Sequence, residues 1–542
     1  MIINNYIDKN RIPYGNPEFS DIIEQNMIYV DKTELIAQIA IQRSPIFFSR
    51  PRRFGKSLLL NTLSSLFADG LKNFHGLAIE KKWVDKTYKV VHLDFSGLAD
   101  KTPLEFAKDF GETIIEEFGV KGTVSKIDES GLRSPDRIFN EIGKGLPNNS
   151  VVLLVDEYDA PLTHHMHDPV ELKAITSILN NFYATIKQYT GKFRLIFITG
   201  VTRASHVSIF SAFNNLQDLS LAEEFNSLLG FTKDELQQYF DGYIENAANI
   251  LDMSKDDVYN GLEQYYDGFQ FSLNSKGTVY NPWSILNFLY RPQDGFSNYW
   301  FNSAGTPLII MHYLRINDKF DFLDYSTRNE SVKRDRLSRK YELTEIPRNI
   351  LLYQTGYFTI RSNNDGTAQL VLPNLEIEES LLGLYLEENN LDTSRELNQK
   401  MKDLCFAIDS KDLIYIIDVF NNILNECVSS ASNIFNDERS VRDIIYAALI
   451  KIPSLKKIKE RETVKGRSDL ELITDKTSMI IEFKRTYSTK GPAAALKEAC
   501  EQIKNNRYGL LFSQSSVVYR VAMVISTSKK MILHDFSREV ML

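Results

Sequence analysis

Short apolar runs alternating with amphipathic stretches organise about the first 230 residues. "PIFFS" (45–49) reads as a buried strand, and "SLLLNTLSSLFADG" carries helical periodicity that stops at Gly70. "YKVVHLDFSGL" (88–98) has the β-branched content of a strand. "SVVLLVDEYDAPL" (150–162) is an apolar run ending in acids, "ELKAITSILNNFYATIKQY" (171–189) repeats as an amphipathic helix, and "FRLIFITGVTR" (193–203) is another apolar run. Apolar strands spaced by helices predict a parallel sheet covered on both faces.

The pattern changes near residue 231. "TKDELQQYFDGYIENA" opens with Thr232 followed three residues on by Glu235, a helix-start signature. From there to about 390 the periodicity is mostly helical, interrupted by aromatic-rich loops. The polar stretch "EENNLDTSRELNQK" (387–400) marks the boundary of a last domain. That domain reads as helices, then "LELITD", "MIIEFKR" and "VAMVIST" as strands, with the helix "PAAALKEACEQIKNN" between the last two. The expected division is 1–230, 231–395 and 396–542.

Composition changes this picture little. The chain has 542 residues, 43% hydrophobic and 25% charged, enough to bury a core without disulfides or metals. Cys405, Cys427 and Cys500 are far apart and odd in number, so neither a disulfide framework nor a zinc site is indicated, and a reducing compartment fits. No run has signal-peptide character or the length of a membrane span. The expectation is a cytoplasmic protein with no membrane partner, export by a signal-less route being left open. The net charge of −8 argues against general coating of nucleic acid. The charge is uneven, however: from residue 397 onward about 23 Lys+Arg face about 18 Asp+Glu, so the last domain is near +5 and the rest near −13. A basic end on an acidic body points to nucleic acid, DNA or RNA, as its partner.

Two stretches carry nucleotide chemistry. A phosphate-binding loop needs backbone N–H groups aimed at phosphates, a lysine for the β/γ-phosphates and a hydroxyl for Mg²⁺, usually as Gly-x4-Gly-Lys-Ser/Thr. In "SRPRRFGKSLLL" the end of that pattern is present as Gly55, Lys56 and Ser57, but Arg50 stands at the first glycine. A strand precedes the loop and a helix follows, so Arg53, Phe54, Gly55, Lys56, Ser57 and Leu58 lie where a helix N-terminus faces an anion. The second stretch, "VVLLVDEYD", ends a buried strand in Asp156, suited to Mg²⁺ together with Ser57, and Glu157, suited to polarise the attacking water. A third strand ends in Thr199, Thr202 and Arg203. If it lies between the two motif strands, Thr199 or Thr202 is placed to sense a γ-phosphate and Arg203 to touch one.

"RPRRFGKSL", "LVDEYDAPL" and "ITGVTRAS", with "YNPWSILNFL" and "LLYQTGYFTI" downstream, resemble the AAA-ATPase-like family found in many bacteria. The resemblance implies an ATPase fold over roughly residues 8–230, a helical extension after it, and ATP as ligand. It makes the missing glycine a family trait. Whether Arg50, Arg52 and Arg53 shape the turn, contact phosphate or face a partner subunit stays open, as does a homo-oligomer.

The last domain contains "GRSDLELITDKTSMIIEFKR". Glu482 and Lys484, two apart on a strand, project to one face, where Asp469 before the neighbouring strand can join them. Two carboxylates suit Mg²⁺, which prefers oxygen ligands, and a lysine beside them can orient a water or stabilise developing charge. This spacing resembles that of the PD-(D/E)XK nucleases. The resemblance, over about 435–525, implies an α/β restriction-endonuclease-like fold, a metal-site role for Glu438 and a positioning role for Gln502. Related sequences carry Tyr-His where this chain has Val441-Arg442, so Asp443 competes with Glu438. "THHMHD", with His164, His165 and His167, reads as a surface loop, and the aromatics of "QYYDGFQFS" and "YNPWSILNFLYRP" as packing. The basic run 451–467 is a candidate phosphate contact. The reading is an ATPase-coupled nuclease, the alternative an ATP-dependent switch whose last domain binds nucleic acid without cutting.

Overall fold

The computed structural model describes residues 8–541 except 121–133, 204–212, 214, 276, 301–308, 312, 314–329, 363–366, 389–393, 428–434, 436, 450–451, 453–454, 460–461, 464–465, 487–489 and 507–516. The chain divides into two units, Met1–Phe320 with Ser326–Ser380, and Asp321–Tyr325 with Leu381–Leu542.

The first unit is built on five parallel strands: β1 (Ile46–Ser49), β2 (Lys89–Asp94), β3 (Val151–Asp156), β4 (Phe193–Gly200) and β5 (Gln217–Asp218). Their order is β2-β3-β4-β1-β5. Every residue of β1, β3 and β4 is buried, which is why these segments are apolar runs rather than alternating ones. β4 lies between the two motif strands, and its register pairs Thr199 with Phe48 while Ile198 pairs with Val155. The carboxyl ends of β1, β3 and β4 therefore share one edge, where open α/β sheets bind ligands. The helix Lys56–Asp69 leaves β1 through a tight loop. The helices Pro103–Glu117, Pro135–Gly145 and Pro169–Gln188 contribute Phe106, Phe110, Phe139 and Phe182 to the core, with Phe110 and Phe182 rings 4.7 Å apart.

Residues after 230 continue in the same unit. Thr232 caps the helix Lys233–Leu251, and Glu235 returns its carboxylate to the Thr232 N–H, the reciprocal pairing that the sequence predicts. This helix packs with Lys255–Tyr266 and Pro282–Tyr290 around Phe240, Ile244, Leu262 and Phe288. A small antiparallel sheet, β6 (Glu330–Lys333), β7 (Thr359–Ser362) and β8 (Thr367–Val371), adds to this mostly helical region. The sequence pattern does not announce it, because β7 begins just after the helix Arg348–Thr355, with Gly356 at φ +92° turning the chain between them.

The second unit carries β9 (Lys456–Lys459), β10 (Glu462–Thr463), β11 (Gly466–Arg467), β12 (Leu470–Ile473), β13 (Thr477–Arg485), β14 (Val517–Ser526), β15 (Met531–Ile532) and β16 (Arg538–Glu539). The main order is β15-β14-β13-β12-β9, with β16 also on β14. β13 and β14 are parallel and joined through the helix Pro492–Asn506, whose Ala495, Leu496, Ala499 and Ile503 pack on Ile480, Ala522 and Val524. Antiparallel β12 brings the start of "DLEL" beside the end of "IIEFK". Among the described residues no helix is long and apolar enough to cross a membrane.

Candidate functional site

In the first unit, the loop after β1 closes on Gly55 at φ +95°, a left-handed turn that leads directly into the helix Lys56–Asp69. The first N–H groups of that helix, unpaired within it, face a cavity of about 560 Å³. Arg52, Arg53, Phe54, Gly55, Lys56, Ser57, Leu58 and Glu157 all line it. The Lys56 ammonium is buried and donates to the carbonyls of Arg50 and Pro51, each at 3.0 Å. Burial pulls its pKa down, opposed by Glu157 and Asp156.

Asp156 joins two of the expected groups. Ser57 Oγ donates to its Oδ2 at 2.7 Å, and Thr199 Oγ1 donates to its Oδ1 at 2.5 Å. A serine hydroxyl and a carboxylate so disposed suit a divalent ion, so Ser57 and Asp156 are the residues that would hold one. Glu157 follows at φ +48°, and burial raises its pKa while Lys56 and Arg52 pull it back. A carboxylate raised in this way and lining this cavity suits a base or water-positioning group.

The arginines and threonines separate clearly. Arg50 is fully buried, donating to the carbonyls of Ser49 (2.9 Å), Ser220 (2.7 Å) and Phe225 (2.9 Å) between the rings of Phe48 and Phe271. Arg53 lies over the Trp283 ring at 4.3 Å. Thr202 donates through its N–H and its hydroxyl to Asp159 Oδ2, both at 2.6 Å, whereas Thr199 bonds Asp156; neither threonine lines the cavity. Arg203 is buried beside Asp218 (3.3 Å) and donates to the Leu337 carbonyl, also off the cavity. Sequence reasoning missed the rest of the wall. Tyr29, Val30 and Lys32 come from the N-terminal segment, and Leu229, Trp283 and Leu286 from beyond the sheet. Lys32 is paired with Glu235 at 2.6 Å. Trp283 sits in a segment that reads as packing, and it does pack, with Tyr14 stacked on its ring.

In the second unit, Asp469 and Glu482 come together across β12 and β13. Asp469 Oδ2 accepts the Phe483 N–H at 2.8 Å. Glu482 is fully buried; its Oε1 accepts from Lys484 Nζ at 3.0 Å, and its Oε2 has no hydrogen-bond partner among the described residues. A buried carboxylate oxygen of this kind suits a cation, so Asp469 and Glu482 are the residues that would hold one here. Burial, and then the Asp469 charge, push the Glu482 carboxyl up to about 8, and burial raises Asp469 as well. Burial alone lowers the Lys484 ammonium, but Glu482 and Glu438 together raise it above its ordinary value.

Glu438, at the start of the helix Glu438–Leu449, accepts the Arg485 N–H at 2.9 Å and stands 3.6 Å from Lys484 Nζ. Asp443 is instead fully buried against Arg442 Nε at 2.9 Å, and Arg442 also lies 3.9 Å from Asp469. Gln502 is half-buried on the helix that covers β13 and β14. Glu471, which sequence reasoning missed, is fully buried on β12 and accepts from Ser468 Oγ at 2.8 Å. Among the described residues no three His, Cys, Asp or Glu side chains are grouped closely enough to hold an ion by themselves. His164, His165 and His167 belong to no such group, His165 being within 3.5 Å of Glu171. Most side chains of the basic run 451–467 lie outside the described residues.

Residues 13–210 match the family described as predicted AAA-ATPase, and residues 436–535 match the PD-(D/E)XK nuclease superfamily. An uncharacterised protein from the vnfD 5′ region of Azotobacter chroococcum mcd 1 is 28% identical over 512 residues, covering 93% of both chains. The solved ORC2 protein of Aeropyrum pernix, determined in ADPNP–ADP complexes, aligns with 71% of this chain and 97% of its own at 11% identity and a TM-score of 0.31.

Proposed function

The chain carries an AAA-ATPase-like domain and a PD-(D/E)XK nuclease superfamily domain, and we propose that it binds and hydrolyses ATP with Mg²⁺ and couples that cycle to Mg²⁺-dependent cleavage of phosphodiester bonds in DNA or RNA. The observation that carries this reading is the convergence of Lys56, Ser57, Asp156, Glu157 and Thr199 at one sheet edge.

Mg²⁺ supplies charge neutralisation for the phosphates when bound. The protein's own groups do the rest. The N–H groups of the helix start and the Lys56 ammonium bind β/γ-phosphate oxygens, for which Lys56 exchanges its two loop carbonyls. Glu157 holds the attacking water in line and takes up its proton. Thr199 keeps the Asp156 carboxylate turned toward Ser57. At the second site Asp469 and Glu482 present the carboxylates, and Lys484 holds its ammonium where negative charge develops on the scissile phosphate.

Phosphate release from ATP tests the first half. Glu157→Gln is expected to keep nucleotide affinity and lower turnover by about 10²–10⁴-fold; equal release in variant and wild type would contradict hydrolysis at this site. A second reading, nucleic-acid binding without cleavage, is favoured by one observation: Lys484 itself sits between Glu482 and Glu438. It predicts salt-dependent affinity with no product.

A further inference from the structure

A buried carboxyl group that takes no part in the chemistry above ties together two walls of the nucleotide cavity. Glu376, in the first turn of the helix Leu375–Glu388, is fully buried and does not line the cavity. Its Oε1 accepts the N–H groups of Tyr299 and Trp300, both at 2.9 Å. Ser284 Oγ lies 2.9 Å from Oε1 and 2.7 Å from Oε2. Each partner leads to the cavity by a short path. Ser284 belongs to the first turn of the helix Pro282–Tyr290, next to Trp283, whose ring carries Arg53 and whose Nε1 donates to the Tyr299 carbonyl at 3.2 Å. Trp300 is fully buried, and its Nε1 reaches the Arg52 carbonyl at 3.5 Å. Gly356 packs here too: a Cβ on it would come within 2.7 Å of Pro51, so no larger residue fits behind the loop. The bonds thus close a ring through Arg52, Trp300, Glu376, Ser284, Trp283 and Arg53.

We infer that Glu376 is a positioning residue for the nucleotide site, holding Trp283 and the phosphate loop in one arrangement through Ser284 and the Tyr299–Trp300 backbone. A single carboxyl serves because its Oε1 accepts two backbone N–H groups while both of its oxygens reach the Ser284 hydroxyl, joining two separate segments. Without it, the Tyr299 and Trp300 N–H groups lose their partner in the interior, and the segment that ties Trp283 to Arg52 has no fixed place. The inference rests on the cavity being the ATP site.

The test uses the full chain with Glu376→Ala and Glu376→Gln, read in two independent ways. Glutamine keeps an acceptor for the two backbone N–H groups and an amide for Ser284, so it restores the arrangement if bonding geometry is what matters. Hydrogen exchange without nucleotide is expected to rise at least tenfold at residues 50–57 and 282–290 in Glu376→Ala and to stay near wild type in Glu376→Gln. ATP affinity by calorimetry is expected to fall at least tenfold in Glu376→Ala only. Unchanged exchange in both segments, or unchanged ATP affinity in Glu376→Ala, overturns the inference. If the wild-type chain binds no ATP, the ATP reading fails, while the exchange experiment still decides whether Glu376 holds the two segments.

Discussion

Arg50 shows what one residue position can hide. In sequence it is one of three arginines in a loop that normally begins with glycine, and the three are interchangeable on paper. Burial separates them. Arg50 turns inward to carbonyls about 170 residues away, Arg53 stacks on Trp283, and Arg52 lines the cavity. No local pattern announces partners so distant, whereas Gly55, Lys56, Ser57, Asp156 and Glu157 are legible because phosphate chemistry fixes both residue type and spacing. Restoring the usual glycine should therefore harm rather than repair the loop. Arg50→Gly leaves the Ser220 and Phe225 carbonyls unpaired and opens a gap between two rings, a loss of roughly 3 kcal/mol or more. Denaturant unfolding followed by tryptophan fluorescence measures it, since Trp83, Trp283 and Trp300 are the chain's three tryptophans and all lie in the first unit. A variant as stable as wild type would contradict this account of Arg50.

Elements divide along the same line. Strands β1 to β4, β12 to β14 and the helices after Gly55, Thr232 and Gly491 are legible, because each is an apolar or β-branched run or an amphipathic repeat with a clear start. The sheet β6–β8 and the cavity wall from residues 13–32 and 282–290 are not, because long-range packing rather than local periodicity makes them. Glu376 belongs to this second group, and it makes the stability of its surroundings depend on pH. Burial raises its carboxyl from the ordinary 4.5 to about 8, with Glu379 adding to the rise, while Ser284 and the Trp300 and Tyr299 N–H groups oppose it. Tyr266 and Tyr299 also face it, and both stay neutral because burial raises them. The folded state therefore holds a proton that the unfolded chain releases above about 4.5. The associated stability is complete below that pH and is lost as pH rises through about 8. The unfolding free energy of the first unit should fall between pH 5 and 8, by up to roughly 1.4 kcal/mol per unit. Glu376→Gln should remove that contribution; identical slopes in the two proteins would rule it out.

At the scale of the whole molecule, the candidate nucleotide-binding groups lie in the first unit, and Asp469, Glu482 and Lys484 lie in the second. On the proposed function, the first unit reads ATP and its state governs cutting by the second. The most direct measurement is cleavage of labelled DNA and RNA by the full chain with Mg²⁺, with and without ATP, beside Lys56→Ala and Asp469→Ala. The account predicts Mg²⁺-dependent cleavage that ATP alters in the wild type, that ATP no longer alters in Lys56→Ala, and that disappears in Asp469→Ala. No cleavage of any substrate, cleavage that survives in Asp469→Ala, or wild-type cleavage indifferent to ATP would contradict it.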